Sequence, residues 1–295
     1  MEKIGFIGLG KMGNPMAMNI HDADFPLEVY NRTFEKTKPF RDKGVKAYKT
    51  AENLAKNSDV IIIMVTGPED LLEVLKSDEG VLAGLKEDSV VINMSTVSPD
   101  ATLEAAELVR EKNANFVDSP VSGTVGPAEK GTLTILSAGK EEVLDRVKPI
   151  LEKMGEPVVN CGEAGKGTEM KLFINLLLGG MMESLSESLV FGKKLGLDVS
   201  KMQKVMQSGG VDCLMFRVKS DLIKNRDFEP RFKVNLIHKD LSLALDSGGK
   251  LGVALPAAAA AREIYSGAKG MDLGKEDMTA NIKVLEKIAD ITVED

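Results

Sequence analysis

Three glycines near the start of the chain, Gly8, Gly10 and Gly13, follow an apolar run with strand character and precede a helical pattern. This Gly-x-Gly-x-x-Gly spacing is typical of a dinucleotide site. The first glycine permits a tight turn, the second lets the backbone approach a pyrophosphate, and the third allows helix and strand to pack closely. The phosphates then lie at a helix N-terminus, whose free N–H groups favour negative charge. We predict a dinucleotide-binding loop; the alternative is an ordinary glycine-rich turn.

Asn31, Arg32 and Thr33 follow the second predicted strand. An NAD site places an Asp or Glu there, about 20 residues past the glycines, on the ribose 2′-hydroxyl. The neutral Asn31 does not repel a 2′-phosphate, Arg32 can bind one through two parallel N–H donors, and Thr33 adds a hydroxyl. These residues favour NADP over NAD. The alternative is that the three residues only cap the next helix.

Lys171 and Asn175 are polar residues in an otherwise apolar helical pattern. Their i, i+4 spacing places them on one helix face. A partly buried lysine with a lowered pKa is a capable general acid or base. The same lysine could instead extend its ammonium to solvent or pair with a carboxylate. We therefore treat Lys171 as a candidate proton donor.

Ser122, Gly123 and Thr124 follow a late predicted strand. In open α/β sheets, ligands bind beyond the carboxyl ends of the strands. The backbone N–H groups and hydroxyls of this segment suit a carboxylate or a carbonyl oxygen. Its composition is also that of a plain turn, so the residues alone leave both interpretations open.

The elements that must position these residues change character along the chain. Strand-like runs such as residues 27–30, 60–65 and 115–118 alternate with helical patterns, which predicts an N-terminal Rossmann-type doubly wound sheet. Only helical patterns follow. We therefore predict an α/β fold with an NADP-binding domain over residues 1–162 and an all-α substrate and oligomerisation domain over residues 163–295.

Several helix boundaries follow from local signals. A long helix is predicted to begin near residue 167 and to be buried over residues 172–182. Single helices are predicted over residues 33–43 and 276–290. Val199 with Ser200, and Asp277, are interpreted as helix caps.

Composition excludes several classes of partner. The chain has 295 residues with 38 basic and 45 acidic side chains, and this net charge of −7 argues against nucleic-acid binding. The uncharged residues 172–182 are too few to span a bilayer, which takes about 20. Cys161 and Cys213 lack metal-ligand spacing, so we expect no metal site and two reduced thiols in a cytoplasmic protein. No signal peptide is predicted.

Ordered motifs along almost the whole chain resemble the β-hydroxyacid dehydrogenase family, which includes 3-hydroxyisobutyrate dehydrogenases, tartronate semialdehyde reductases and glyoxylate/succinic semialdehyde reductases. The matching segments are residues 5–17, residues 93–99, residues 118–123, Lys171 with Asn175, and residues 239–241. Two departures matter. Ile174 stands where several members have an asparagine, and the loop after Gly123 continues with residues 124–129 where members often carry a second glycine or basic residues. Residues 124–129 look closer to the glyoxylate/succinic semialdehyde reductases.

The resemblance implies a catalytic role for Lys171, a place beside the nicotinamide for Thr96, and a substrate role for Asn175. Together with the motifs it gives predicted cofactor-binding residues Gly8, Leu9, Gly10, Lys11, Met12, Asn31, Arg32, Thr33, Met64, Val65, Thr96 and Lys239. The predicted substrate-binding residues are Ser122, Gly123, Thr124, Asn175, Phe232 and Asp240.

The resulting expectation is NADPH-dependent reduction of a small aldehyde acid, such as glyoxylate or succinic semialdehyde, with Lys171 as the general acid. One alternative is NAD-dependent oxidation of 3-hydroxyisobutyrate or a related β-hydroxyacid. Another, of a different class, is a non-catalytic NADP-binding scaffold. The apolar long helix and the alanines of residues 257–261 favour a homodimer or homotetramer.

Overall fold

The computed structural model describes residues 1–294. The chain divides into two compact units, of which the first is Met1–Lys171 and the second begins at Leu172. This division falls inside a long helix, a few residues after the change in sequence pattern. The domain boundary after residue 162 stays a prediction.

The strands of the first unit are β1 (Ile4–Ile7), β2 (Leu27–Tyr30), β3 (Lys46–Tyr48), β4 (Val60–Ile63), β5 (Val90–Asn93), β6 (Asn115–Asp118), β7 (Val121–Ser122), β8 (Thr134–Ala138) and β9 (Val158–Gly162). Parallel pairing joins the first six in the order β3-β2-β1-β4-β5-β6. Doubly wound dinucleotide-binding sheets have this strand order, in which the carboxyl ends of all six strands share one edge. The predicted Rossmann-type sheet is confirmed.

Helices cover both faces of this sheet, and they are α1 (Gly13–Asp22), α2 (Lys38–Arg41), α3 (Ala51–Ala55), α4 (Pro68–Lys76), α5 (Val81–Gly84), α6 (Pro99–Arg110), α7 (Val125–Lys130) and α8 (Glu141–Leu151). Successive strand residues therefore enter different cores. Phe6 and Ile62 belong to one, whereas Ile7 and Ile63 belong to the other. This burial on both sides explains why the central strands are continuous apolar runs.

The far edge of the sheet is antiparallel, which the alternating pattern did not predict. β8 pairs antiparallel with β6 and β7, and parallel with β9. Strand β7 has two residues and helix α7 has six, so both are too short for a periodic signal. Pro127 is the third residue of α7, in the first turn, where a missing N–H breaks no helical hydrogen bond.

The helices of the second unit follow α9 (Lys166–Lys194), which begins in the first unit, and they are α10 (Val199–Gln207), α11 (Leu214–Lys224), α12 (Val234–Leu251), α13 (Pro256–Gly270) and α14 (Ile282–Ala289). Short 3-10 helices cover Leu273–Lys275 and Met278–Asn281. One apolar core includes Leu185, Ile237 and the fully buried Tyr265. The predicted all-α character of this part is confirmed.

Some predicted helix limits are wrong. Residues 33–43 form a 3-10 helix, Phe34–Thr37, and then α2, because Pro39 cannot donate the hydrogen bond that would continue one helix. Residues 276–290 likewise begin as a 3-10 helix; Asp277 caps it by accepting the N–H of Thr279, as predicted. The cap of α10 is Asp198 rather than Val199 or Ser200.

Helix α9 has 29 residues, close to the predicted span. The prediction that residues 172–182 are buried is wrong for two side chains. Phe173 is 62% exposed and Leu177 is 46% exposed. Among residues 1–294, no helix combines the length and the apolar character that crossing a bilayer requires.

Candidate active site and cofactor cavity

The glycine loop between β1 and α1 has the geometry that its spacing predicts. Gly8 has a φ of +96°, and a Cβ there would lie 2.1 Å from the Met64 carbonyl oxygen. A Cβ on Gly13 would lie 1.9 Å from the Gly8 carbonyl oxygen. A Cβ on Gly10, in contrast, would meet no atom within 4 Å. The first and third glycines are therefore required by the fold, and the second leaves room for a ligand.

The N-terminus of α1 is suited to an anion. Its N-cap, Met12, makes no side-chain cap hydrogen bond, and the first turn carries no acidic residue. Backbone N–H groups at such an end attract phosphate. Together with the open space at Gly10, this arrangement fits the pyrophosphate of a dinucleotide.

A cavity of about 610 Å³ opens beside this loop. Its lining includes seven of the predicted cofactor residues: Gly8, Gly10, Asn31, Arg32, Thr33, Met64 and Val65. Leu9 and Met12 instead pack on the hydrophobic core. Lys11 lines a separate, open depression with Asn14 and Glu129.

Asn31 fixes the glycine loop. Its side-chain oxygen accepts the Leu9 N–H at 2.8 Å, and its amide nitrogen donates to the Thr33 carbonyl at 2.8 Å. These bonds tie the end of β2 to the turn after β1. Thr33 makes no side-chain cap hydrogen bond to the 3-10 helix that follows, so a capping role alone does not explain it.

Arg32 contacts two acidic residues that sequence analysis missed. Its Nη1 lies 3.3 Å from Asp70 Oδ1 and 3.5 Å from Glu73 Oε2, both on α4. Asp70 and Glu73 line the cavity as well. Spacing could not have found them, because they follow Arg32 by 38 and 41 residues.

The adjacent ends of β4 and β5 are held by side chains. Ser95 Oγ accepts the Val65 N–H at 2.9 Å and donates to the Ile63 carbonyl at 3.4 Å. Asn93 Oδ1 accepts the Ser95 N–H at 3.0 Å. Thr96 is the next residue along this edge, so the structure places it on the side of the sheet where Gly8 and Met64 also lie.

The predicted substrate segment is more ordered than a plain turn. Ser122 belongs to β7 and pairs with Thr134. Gly123 has a φ of +141°, and a Cβ there would lie 2.6 Å from Leu133 Cδ2. Thr124 is the N-cap of α7, and its side chain makes no cap hydrogen bond.

Asp118, at the end of β6, holds the start of α9. Its two carboxylate oxygens accept the Thr168 backbone N–H at 2.7 Å and the Thr168 hydroxyl at 2.8 Å. The Thr168 hydroxyl also lies 2.8 Å from that of Thr102. Burial raises the pKa of Asp118 to about 6, against the opposing effect of the hydrogen bonds from Thr168. Lys171 is three residues further along α9, so Asp118 fixes the helical turn that precedes the candidate proton donor.

Lys171 and Asn175 both lie on α9, where they are 7% and 2% exposed. Their i, i+4 spacing directs them to the same face, as predicted. A lysine this well buried is unusual, because burying an ammonium is unfavourable unless it is paired or hydrogen-bonded. The Lys171 side chain is therefore mostly enclosed by protein.

Asn175 is oriented by a charged pair on α12. Its amide nitrogen donates to Asp240 Oδ2 at 2.6 Å, and Lys239 Nζ lies 2.8 Å from Asp240 Oδ1. Asp240 is 2% exposed. The structure thus brings three predicted site residues together, with the Asp240 carboxylate between the other two.

Phe232 lies in a different environment. Its backbone N–H donates to Asp277 Oδ2 at 2.9 Å, and its ring packs on the core of the second unit. Asp277 also accepts the Arg231 N–H and binds Lys219 Nζ at 2.7 Å.

Residues 1–294 contain no group of three or more His, Cys, Asp or Glu side chains that could hold a metal ion.

A Rossmann-type unit with an open glycine loop, followed by helices that carry a buried lysine and an asparagine, defines a nicotinamide-dependent oxidoreductase. Residues 3–162 match the model of the NAD binding domain of 6-phosphogluconate dehydrogenase. Residues 165–285 match the NAD-binding model of NADP-dependent 3-hydroxyisobutyrate dehydrogenase. The chain belongs to the β-hydroxyacid dehydrogenase family.

Known members are similar over nearly their whole length. The chain is 38% identical to 2-(hydroxymethyl)glutarate dehydrogenase of Eubacterium barkeri, covering 99% of this chain and 97% of the relative. It is 33% identical to glyoxylate/succinic semialdehyde reductase 1 of Arabidopsis thaliana, covering 96% and 98%. The Mycobacterium tuberculosis 3-hydroxyisobutyrate dehydrogenase structure superposes with a TM-score of 0.89 at 29% identity, covering 97% and 99%.

Proposed function

We propose that this chain catalyses the NADPH-dependent reduction of a small aldehyde acid to the corresponding hydroxy acid. The observation that carries the proposal is the burial of Lys171 and Asn175 on one face of α9. A buried ammonium beside a side-chain amide can protonate a carbonyl oxygen that gains negative charge. Relatives named for glyoxylate, succinic semialdehyde and 2-(hydroxymethyl)glutarate all act on compounds that carry a carboxylate.

When bound, the nicotinamide supplies the hydride for the carbonyl carbon. Lys171 Nζ donates a proton to the carbonyl oxygen as that oxygen becomes an alkoxide, and then recovers a proton from solvent. Asn175 has one amide hydrogen on Asp240 and offers the other to the same oxygen. Lys239 adds positive charge, while the N–H and hydroxyl groups of residues 122–124 bind the substrate carboxylate.

The proposed preference for NADPH rests on the end of β2. Arg32, Thr33 and Lys36 line the cavity there and offer two cations and a hydroxyl to a 2′-phosphate. We expect Arg32→Ala to raise the NADPH KM about tenfold and the NADH KM less than about twofold. Equal effects in steady-state assays with the two cofactors would remove the NADPH assignment.

The alternative is NAD-dependent oxidation of 3-hydroxyisobutyrate or a related β-hydroxyacid. The contacts of Arg32 with Asp70 and Glu73 favour this alternative, because the two carboxylates would repel the 2′-phosphate of NADP. A non-catalytic NADP-binding scaffold is disfavoured, because relatives that match nearly the whole chain are named as a dehydrogenase and a reductase.

A substrate panel with both cofactors tests the proposal. Glyoxylate, succinic semialdehyde, methylmalonate semialdehyde, tartronate semialdehyde and the aldehyde of 2-(hydroxymethyl)glutarate are each assayed for oxidation of NADPH and NADH at 340 nm. The corresponding hydroxy acids are assayed in reverse. We expect the highest kcat/KM for one of the aldehydes with NADPH. Turnover only of 3-hydroxyisobutyrate or a related hydroxy acid with NAD⁺ would establish the alternative.

The proposed assembly is a homodimer or homotetramer. Phe173, Leu177 and Phe191 are large apolar side chains on one face of α9 that remain exposed, and a second copy of the chain would cover them. Light scattering after size-exclusion chromatography tests this, and a monomer at micromolar concentration would contradict it. The cytoplasmic location stays a prediction from cysteine usage.

A further inference from the structure

Helix α4 presents two carboxylates to the residue proposed to select the cofactor. Asp70 and Glu73 are three residues apart, so they lie on the same helix face. Both contact the Arg32 guanidinium, at 3.3 and 3.5 Å. The Arg32 side chain is 77% exposed. Exposed ion pairs of this kind are weak, so Arg32 can exchange these partners for another anion.

The same carboxylates disfavour the binding of a 2′-phosphate. A phosphate monoester brings a charge of about −2 near neutral pH. When it binds Arg32, it also comes within a few ångströms of Asp70 and Glu73, and like charges at such distances repel even in water. A cofactor with a free 2′-hydroxyl has no charge there and can donate to a carboxylate instead.

Two further carboxylates around the cavity act in the same direction, and one ammonium acts against them. Asp78 and Glu79 belong to its lining, as does the cationic Lys36. Burial raises the pKa of the Tyr30 phenol, and Glu79 and Glu73 add to that rise while Arg32 opposes it. The carboxylates of Glu79 and Glu73 therefore act at the end of β2, where Tyr30 lies, against the larger effect of Arg32.

We propose that Asp70 and Glu73 are specificity-determining residues that hold Arg32 and reduce the preference of this enzyme for a 2′-phosphorylated cofactor. The inference rests on the proposed function only in taking the cavity as the adenosine site. The new part is that Asp70 and Glu73 of α4 influence which cofactor binds. The enzyme then discriminates between NADPH and NADH less than Arg32 alone would allow.

Calorimetric titration of the full chain with NADP⁺ and with NAD⁺ tests this without turnover. The double variant Asp70→Asn/Glu73→Gln should bind NADP⁺ about tenfold more tightly than wild type, while the Kd for NAD⁺ changes less than about twofold. Glu69→Gln is the matched control, because Glu69 is an exposed carboxylate on α4 that does not belong to the cavity lining. It should change neither Kd by more than about twofold.

The Arg32→Ala background shows whether the effect acts through Arg32. In the wild-type background, the double substitution should make the free energy of NADP⁺ binding more favourable. In the Arg32→Ala background, the same double substitution should give less than half of that change. Weaker NADP⁺ binding by the double variant, or equal changes for both cofactors, overturns the inference and leaves the proposed function standing. Failure of the wild-type chain to bind either cofactor overturns both.

Discussion

The two units build their polar sites from different parts of the chain. In the first, the cofactor cavity uses backbone geometry at the ends of neighbouring strands, where Gly8 turns the chain and Gly10 leaves space. In the second, the polar contacts are between buried side chains on separate helices, such as Asn175 with Asp240 and Glu183 with Asn281. A backbone site depends on a few consecutive residues, whereas a side-chain site depends on how distant helices pack.

This difference predicts opposite responses to small substitutions. A backbone site should tolerate changes in side-chain chemistry but not an added Cβ where the ligand or the chain approaches. A buried side-chain site should tolerate neither a lost charge nor a lost acceptor, and its stability should depend on pH.

The largest expected effect separates the two glycines of the loop. Gly10→Ala adds a Cβ to open space, so it should fold normally and raise the Kd for NADP⁺ and NAD⁺ about 100-fold. Gly8→Ala adds a Cβ 2.1 Å from a carbonyl oxygen at a positive φ, so it should unfold at a lower temperature. Calorimetric titration and thermal denaturation of both variants measure these outcomes.

Gly249→Ala is the control for both variants. Gly249 lies on the exposed side of α12, and a Cβ there would also meet nothing within 4 Å. It should leave cofactor binding unchanged and raise the free energy of unfolding by about 0.5–1 kcal/mol, because alanine is the better helix former. Normal cofactor affinity in Gly10→Ala would mean that no ligand approaches this loop.

Glu183 provides the pH test in the second unit. Burial raises its pKa from 4.5 to about 7, although Asn281 donates to its Oε2 at 2.7 Å. Among the described residues, its Oε1 and the buried Tyr265 hydroxyl have no hydrogen-bond partner. The folded state therefore holds a proton that the unfolded state releases, and stability is lost as the pH rises from about 4.5 through 7.

Glu183→Gln should remove this loss, which amounts to about 3 kcal/mol. Urea unfolding should give similar stabilities for wild type and variant at pH 5, and a more stable variant at pH 8. The exposed Glu111, at the end of α6, supplies the control Glu111→Gln, which should change stability by less than about 0.5 kcal/mol at either pH. If the free energies of unfolding of Glu183→Gln and wild type differ by the same amount at pH 5 and pH 8, Glu183 does not retain its proton in the folded state.

A smaller effect is expected at the start of α9. Asp118→Asn replaces one of two acceptors for Thr168 by a donor, so it should lower the free energy of unfolding by about 1–2 kcal/mol. Because Thr168 precedes Lys171 by less than one turn, kcat should fall about tenfold as well. Unfolding and steady-state assays measure both, with the exposed Asp145→Asn as control. Unchanged kcat with reduced stability would limit Asp118 to a structural role.

Much of the fold could be predicted because its signals are local. The strands over residues 27–30 and 115–118 agree residue for residue with β2 and β6. Continuous apolar runs occur where a strand is buried on both faces, and this pattern is readable over four residues. The antiparallel β7 and the helix α7 could not be predicted, since two and six residues carry no periodicity.

The candidate site divides in the same way. The glycine loop and Arg32 were found by spacing alone. Asp70, however, contacts Arg32 across 38 residues, and Asn175 contacts Asp240 across 65. Such pairs depend on helix packing, so the sequence indicated Asp240 only through the family resemblance and did not indicate Asp70.

The proton-donor role of Lys171 is tested most directly by Lys171→Ala, measured for both turnover and cofactor affinity. Removing a general acid should lower kcat by about 10²–10⁴-fold, while the Kd for NADPH stays within about twofold of wild type. Lys166→Ala, at the exposed first residue of α9, should leave both values unchanged. A Lys171→Ala variant with nearly normal kcat would contradict the proposed chemistry.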